Sequence, residues 1–289
     1  MALSAALQEI VEYRGVEGLV AAEVLTDDDD NGYTTGPVFA IAGVAEISKT
    51  TDSSNEAHYY DNIPAVVIAS TSADTVTISA SAIPLDVLAE ITGQNYDETL
   101  AAFIEGPRDF KYFAIGYKTK KTNGDEVYVW RYKGTFNIPD QTNSTENNST
   151  DANGQQIVYT GISTTHKFSK TNKGAKAINV DLAKSAADVS AFFDTVTTPD
   201  TLTTKTEYTL TLNPVQGTTL TVTRGGAQLA NNSKIYEDDV LVITASATSP
   251  STAAIYINSS GTPFTSGGSY TVTGNTTIVT TLVTPGGGG

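Results

Sequence analysis

Apolar side chains recur at every second position through much of the chain, which is the period of strands rather than helices. From 109 to 120, Phe110, Tyr112 and Ala114 alternate with Phe113, Ile115 and Tyr117. The run Thr122-Asn123-Gly124-Asp125 follows, and Asn-Gly is the strongest short hairpin signal because both residues tolerate positive φ. On the return, 126–138, Tyr128, Trp130 and Tyr132 alternate with Val127, Val129 and Arg131. A long aromatic hairpin is expected there. Further strands are expected at 37–47, 65–69, 75–80, 156–168 and 177–182.

Helical spacing is confined to two places. Leu85, Leu88 and Ile91 form a stripe between Pro84, suited to a first helical position, and Gly93, suited to a stop. Ser185 reads as an N-cap with Asp188 three residues on, and Val189, Phe192, Phe193 and Val196 then follow at i, i+3, i+4 and i+7. Two polar stretches lack periodicity. The first, 48–62, reads as a long loop ending in Tyr59 and Tyr60, and the second, 141–154, as a mobile loop.

After a linker at 199–204, short Thr-rich strands recur at 208–212, 218–223, 240–245, 254–258, 269–273 and 276–283, punctuated by glycines. So many strands in so short a span indicate a small immunoglobulin-like sandwich. The expected fold class is therefore mainly β (α+β). A first domain spans 1–200, a linker 201–205, a sandwich 206–285 and a flexible glycine end 286–289.

Composition sharpens this picture. At 289 residues and about 150 per domain, two domains are the natural reading. With 39% hydrophobic residues the chain can build real cores, yet no run approaches the ~18 apolar residues of a membrane helix. The start, Met1-Ala2-Leu3-Ser4, has neither the basic nor the apolar run of a signal peptide, so export is not expected. The formal net charge is −15, of which −14 falls on residues 1–204 and −1 on the rest. Nucleic-acid affinity comes from Lys and Arg displacing counterions, so sequence-specific DNA or RNA binding is not expected.

Candidate chemistry is sparse. There is no Cys, which removes disulfides, thiol nucleophiles and thiolate metal sites, and there are two His, His58 and His166, without a second ligand at a recognisable spacing. Asp27, Asp29, Asn31 and Gly32 match the opening of a calcium loop, but Val38 stands where the bidentate Glu belongs. A solvated acidic turn is the simpler reading. The adjacent carboxylates Asp97-Glu98 and Asp125-Glu126 are ordinary turn residues by position, and no phosphate loop or nucleophile elbow appears. The sequons at Asn143 and Asn148 are expected by chance in so polar a stretch. No cofactor, metal or catalytic residue is expected, and the chain does not read as an enzyme.

An ordered set of fragments carries a family resemblance. They are Gly32-Tyr33-Thr34-Thr35-Gly36, Ile41-Ala42-Gly43-Val44-Ala45-Glu46-Ile47-Ser48-Lys49, Tyr60-Asp61-Asn62 and Ile83-Pro84-Leu85-Asp86-Val87-Leu88-Ala89-Glu90-Ile91-Thr92-Gly93. The order continues through Phe113-Ala114-Ile115-Gly116-Tyr117, Thr122-Asn123-Gly124, Tyr128-Val129-Trp130-Arg131-Tyr132-Lys133-Gly134 and Ala191-Phe192-Phe193-Asp194. Over almost all of 1–200 the chain resembles phage major tail (tail tube) proteins of the phi13 type. The second part resembles the immunoglobulin-like decoration domains appended to such proteins.

The resemblance implies a fold of two packed antiparallel sheets with a flanking helix and long hairpins. It also implies homo-hexameric rings stacked into a tube within the virion tail, assembled in the host cytoplasm. DNA passes through the tube without specific binding, and the implied partners are tape measure, tail terminator and baseplate proteins. Weak host-surface glycan contact would fall to the C-terminal domain. In this reading Tyr59, Tyr60 and Ile63 are candidate subunit-interface residues, since aromatics dominate interface energetics. Asp125 and Glu126 are lumen candidates, opposed by Lys118, Lys120 and Lys121 on the same hairpin, which would instead pair with acidic groups of an adjacent ring. The alternatives are a cell-surface adhesion or carbohydrate-binding protein, and a carbohydrate-active enzyme with an accessory sandwich.

Overall fold

The computed structural model describes residues 10–140, 154–183 and 185–284. The mobile loop expected at 141–154 falls, except for Gly154, outside them, as do both sequons and the glycine end. The protein is mainly β, with several antiparallel sheets and, among the described residues, one helix. It divides into two compact units, Met1–Thr203 and Thr204–Gly289.

The strands of the first unit are β1 (Tyr13–Asp28), β2 (Gly32–Thr35), β3 (Phe39–Ala40), β4 (Val44–Tyr60) and β5 (Ile63–Ala80). After helix α1 (Leu85–Thr92) come β6 (Asn95–Asp97), β7 (Ala102–Ile104), β8 (Phe113–Lys121), β9 (Glu126–Phe136), β10 (Gln155–Ile162) and β11 (Ala177–Asp181). One large sheet runs β2-β1-β8-β9-β10-β5-β4, with β3 also on β1 and β11 also on β9, while β6 and β7 pair separately.

The expected aromatic hairpin is β8–β9, but its strands bury both faces rather than one. Phe113, Ala114, Ile115, Gly116 and Tyr117 are buried in succession. On one face Phe113, Ile115, Phe136 and Tyr159 pack with Val76, Ile78 and the apolar stripe of α1, Leu88 and Ile91. On the other, Ala114, Trp130 and Tyr132 pack against Phe168, Phe192 and Val196. The polar ends of these rings are all engaged, as buried Tyr and Trp require. Trp130 Nε1 donates to Phe192 O at 2.7 Å, Tyr159 Oη to Phe113 O at 2.9 Å and Tyr33 Oη to Tyr132 O at 2.6 Å. Burial pushes the phenols of Tyr33, Tyr132 and Tyr159 far above their ordinary value, so they stay protonated and keep their hydroxyl hydrogen to donate. Gly134 leaves room for this core, because a Cβ there would lie 2.4 Å from the Tyr159 ring and 2.5 Å from Thr160 O.

Several expectations need correction. The helix expected from Ser185 does not form; 190–196 is a series of turns. Ser185 Oγ accepts from Ala187 N and Asp188 Oδ1 from Ser190 N, local bonds that compete with a helical ladder. Its apolar stripe still packs inward against Tyr128 and Trp130, so helical spacing marked a buried face without a helix. The loop expected at 48–62 is instead most of β4, paired with β5 along a continuous hairpin whose turn, Asp61-Asn62, takes φ of 50° and 63°. The strand expected at 37–47 is broken between β3 and β4, and that at 156–168 ends at Ile162. β1, the 16-residue strand at the sheet's other side, has no clean alternation, because two register shifts at Gly15 and Gly18 reset its facing.

The expected linker at 199–204 belongs largely to the first unit. Asp200 accepts from Ser169 N and Lys170 N at 2.7 and 2.9 Å, Leu202 joins the second core face, and Thr203 O accepts from Asp188 N. Lys205 begins the short stretch before Thr206, whose carbonyl already accepts from Glu237 N.

The second unit is a sandwich of β12 (Glu207–Asn213), β13 (Thr218–Arg224), β14 (Ala227–Gln228), β15 (Lys234–Tyr236), β16 (Val240–Ala247), β17 (Thr252–Ile257), β18 (Gly268–Thr271) and β19 (Thr276–Val283). Its four-stranded sheets, β15-β12-β19-β17 and β14-β13-β16-β18, share a core of Leu210, Ile255 and Ile278 with Val222, Leu241 and Ile243. The first and last strands, β12 and β19, pair in parallel.

Candidate functional site

The most distinctive surface of the first unit is the far half of the β4–β5 hairpin. Strand β10 pairs with β5 from Ala80 back to Asp74 and stops. Beyond that level only β4 and β5 remain together, so 52–73 is a two-stranded ribbon, hereafter the arm. Tyr59, Tyr60 and Ile63 lie beside its turn and are 65%, 64% and 65% exposed, with Val66 half exposed behind them. These are the three residues picked out by sequence, and the fold brings them together. By sequence the arm carries Asp52, Glu56 and Asp61 and no Lys or Arg. A lone two-stranded ribbon is at best marginally stable in water, so an apolar tip on one gains most from meeting another surface.

Open backbone edges are the second feature. Among the described residues, β4 ends the sheet, paired with β5 alone, and β1 has no strand partner over 13–18 on the side away from β8. The sheet curls enough that Val16 of β1 and Ile47 of β4 pack on the same small cluster, Tyr117, Val127 and Val129. A cleft of about 630 Å³ separates the two edges, lined by Tyr13, Val16, Glu46, Ile47, Lys49 and Asn179 among others. Unpaired edges template further pairing unless something covers them.

The lumen candidates lie at the β8–β9 turn. Asp125 is held by the side chain of Asn123 at 2.8 Å. Glu126 lies 3.4 Å from Lys120 and 3.9 Å from Lys118, while Glu17 of β1 lies 2.8 and 3.1 Å from the same lysines. Hydrogen bonds from Lys120 and Lys118 hold the Glu17 carboxyl below its usual value. Lys121 pairs with Asp181 at 2.7 Å. The hairpin lysines thus find partners within their own chain, where sequence reasoning had sent them to an adjacent ring. The local charge of this turn is largely compensated.

The acidic turn is no freely solvated loop either. The Asp27 carboxylate is 5% exposed, ion-pairs with Lys133 and accepts from Thr165 N and His166 N at about 2.9 Å. Burial opposes its charge, but these donors outweigh burial and hold the carboxyl below its ordinary value. Asp29 binds Lys167, and His166 Nδ1 sits 3.2 Å from Asp28 O. The run therefore staples β1 to the segment after β10. Among the described residues no group of three or more His, Cys, Asp or Glu could hold a metal ion, and no helix is long and apolar enough to cross a membrane.

In the second unit a cleft of about 340 Å³ is lined by Asn258, Ser260, Thr262, Phe264 and Tyr270.

Fold and site together define a two-unit, mainly β protein whose most prominent surface features are open strand edges and a projecting ribbon. No known family model matches the chain, and no curated protein matches it either.

Proposed function

We propose that this chain is a structural protein that assembles with copies of itself into stacked rings, six-membered as the family resemblance implies, forming the tube of a phage tail. The observation that carries the reading is the arm, a two-stranded ribbon with an exposed Tyr59-Tyr60-Ile63 tip extending past the end of the β10 ladder on β5. A ribbon of that kind adds little to the stability of its own chain and suits a neighbour's surface. The unpaired edges of β1 and β4 supply the second element, since ring closure would pair them and end the edge problem. Tape measure, terminator and baseplate proteins are the partners this reading implies, and the second unit decorates the exterior. The virion tail is its location.

Electron microscopy of the purified full chain tests this reading. Rings or tubes are expected, and assembled tubes should hold no duplex DNA at physiological salt. A chain that stays monomeric at high concentration, or tubes that retain DNA in a salt-dependent way, would contradict it. A second reading, glycan contact by the second unit, draws on the neutral cleft at Phe264 and Tyr270, where an aromatic face meets amide and hydroxyl groups. Calorimetric titration of the chain and of its Tyr270→Ala variant with short neutral oligosaccharides separates it from the first.

A further inference from the structure

The root of the arm holds a buried ionic cluster that the packing of the sheet does not require. Asp74 is the one acid between Asp61 and Asp86, and its side chain is 7% exposed. It sits where the sheet narrows: opposite Thr51 on β4, opposite Gly161 at the end of the β10 ladder, and beside the register shift between Thr51 and Ser53. Three donors converge on its carboxylate. Thr51 Oγ1 lies at 2.8 Å, Arg131 Nη1 of β9 at 2.9 Å and Lys176 Nζ, just before β11, at 3.1 Å. Lys176 also donates to the carbonyl of Ser72, inside the arm, and Arg131 Nε reaches Tyr117 Oη at 3.4 Å.

Removing two charges from water costs several kcal/mol per ion, and apolar residues of similar volume often stabilise a core as well or better. What charged hydrogen bonds add is direction, because each fixes a donor and an acceptor in one geometry. Here they grip both arm strands at a single level: β4 through the Thr51 hydroxyl, β5 through Asp74 itself, and the next residues outward through Ser72 O. The anchoring groups come from β9 and from the residue just before β11, outside the arm.

We infer that Asp74, Arg131 and Lys176 form a directional lock that fixes the angle at which the arm leaves the sheet. They are positioning residues: none lies at the tip, and they act by aiming Tyr59, Tyr60 and Ile63. The inference deepens the assembly reading, since an aimed arm matters most when its tip must meet a second copy.

The test uses the full chain kept unassembled, so that it does not depend on tubes forming. With no native Cys, spin labels can be placed cleanly at His58→Cys near the tip and Glu98→Cys on the body, both exposed. Pulsed electron paramagnetic resonance then reads the distribution of distances between them. The unsubstituted lock should give a narrow distribution. Lys176→Gln, which leaves the Asp74–Arg131 pair in place, should broaden it about two-fold with little change in the unfolding midpoint, as expected for a ribbon held mainly at its root. Lys176→Arg should restore the narrow distribution. Asp74→Asn with Arg131→Gln should broaden it further, and if that double variant fails to fold, the Lys176 pair of variants decides. An unchanged width in Lys176→Gln, or a parent distribution already as broad, overturns the lock. Tubes forming normally alongside an unchanged width would overturn the lock alone, whereas a changed width in a chain that never assembles would overturn the assembly reading alone.

Discussion

Two long hairpins of one sheet are put to opposite uses. The β8–β9 hairpin is flanked on both sides by other strands, buries both faces, and sinks Trp130, Tyr132 and Phe113 completely. The β4–β5 hairpin begins in the same sheet, yet its far half has no third strand among the described residues and its aromatic side chains are about two-thirds exposed at the tip. Hairpin geometry is common to both; what differs is where the apolar area goes. In β8–β9 it is spent on the chain's own core, and in the arm it stays exposed at the tip.

That contrast breaks most visibly in the core hairpin. Trp130→Ala should cost about 3–5 kcal/mol in denaturant unfolding, since it empties a fully buried site and strands the Phe192 carbonyl that its indole satisfies. Gly134→Ala should be comparably severe, because a methyl group there collides with the Tyr159 ring and with backbone. In the arm, Tyr59→Ala with Tyr60→Ala should shift the stability of the unassembled chain by no more than about 0.5 kcal/mol, as for other exposed positions, while assembly followed by light scattering is lost. A large loss of stability in that double variant would mean that the arm serves its own fold after all.

The next effect separates the units. A chain ending at Thr203 should fold cooperatively and still assemble, with a smaller outer diameter by electron microscopy, whereas one ending at Thr198 should be less stable. The reason is that Asp200 and Leu202 are bound into the first unit. Failure of the Thr203 chain to assemble would place the second unit in the stacking contact.

Acid should loosen the staple at Asp27. Its carboxyl is held below the ordinary value of about 3.9 by Lys133 and two backbone N–H groups, so the stabilisation is present above that pH and is lost as pH falls through the lower folded value. The unfolding midpoint of the parent should therefore fall more steeply below about pH 4 than that of Asp27→Asn, which carries no such dependence. Parallel curves would contradict the assignment. The smallest effect belongs to the partly exposed lysines of the β8–β9 turn: Lys120→Met should leave the unfolding midpoint nearly unchanged, and more nearly so at high salt.

Where side chains alternated and turns carried their own chemistry, structure was readable in advance. Tyr128, Trp130 and Tyr132 with Asn123-Gly124 marked the core hairpin, Pro84 to Gly93 marked the helix, and the Thr-rich strands marked the sandwich. Tyr59, Tyr60 and Ile63 stood out in the sequence as candidates and are exposed together, but the ribbon that presents them could not be read. Ser, Asn and Asp in 48–62 read as loop, because β-propensity largely measures packing against neighbours and this strand has one neighbour only. β1 was hidden by its two bulges, and the stripe at Val189 to Val196 misled because burial at helical spacing needs no helix when local side chains take up the backbone donors. Pairing across long sequence distances, such as Asp74 with Arg131 or Asp27 with Lys133, leaves no local trace at all.

The central claim is that the arm's tip meets another copy of the chain. A photo-crosslinking benzophenone amino acid in place of Tyr60 reads this directly, with the full chain irradiated under assembling conditions and the products resolved by mass. A ladder of covalent oligomers is expected, abolished when Tyr59 and Ile63 are both replaced by Ala, with the crosslinked peptides coming from two chains. Products confined to single chains, at concentrations where the protein is otherwise associated, would contradict it.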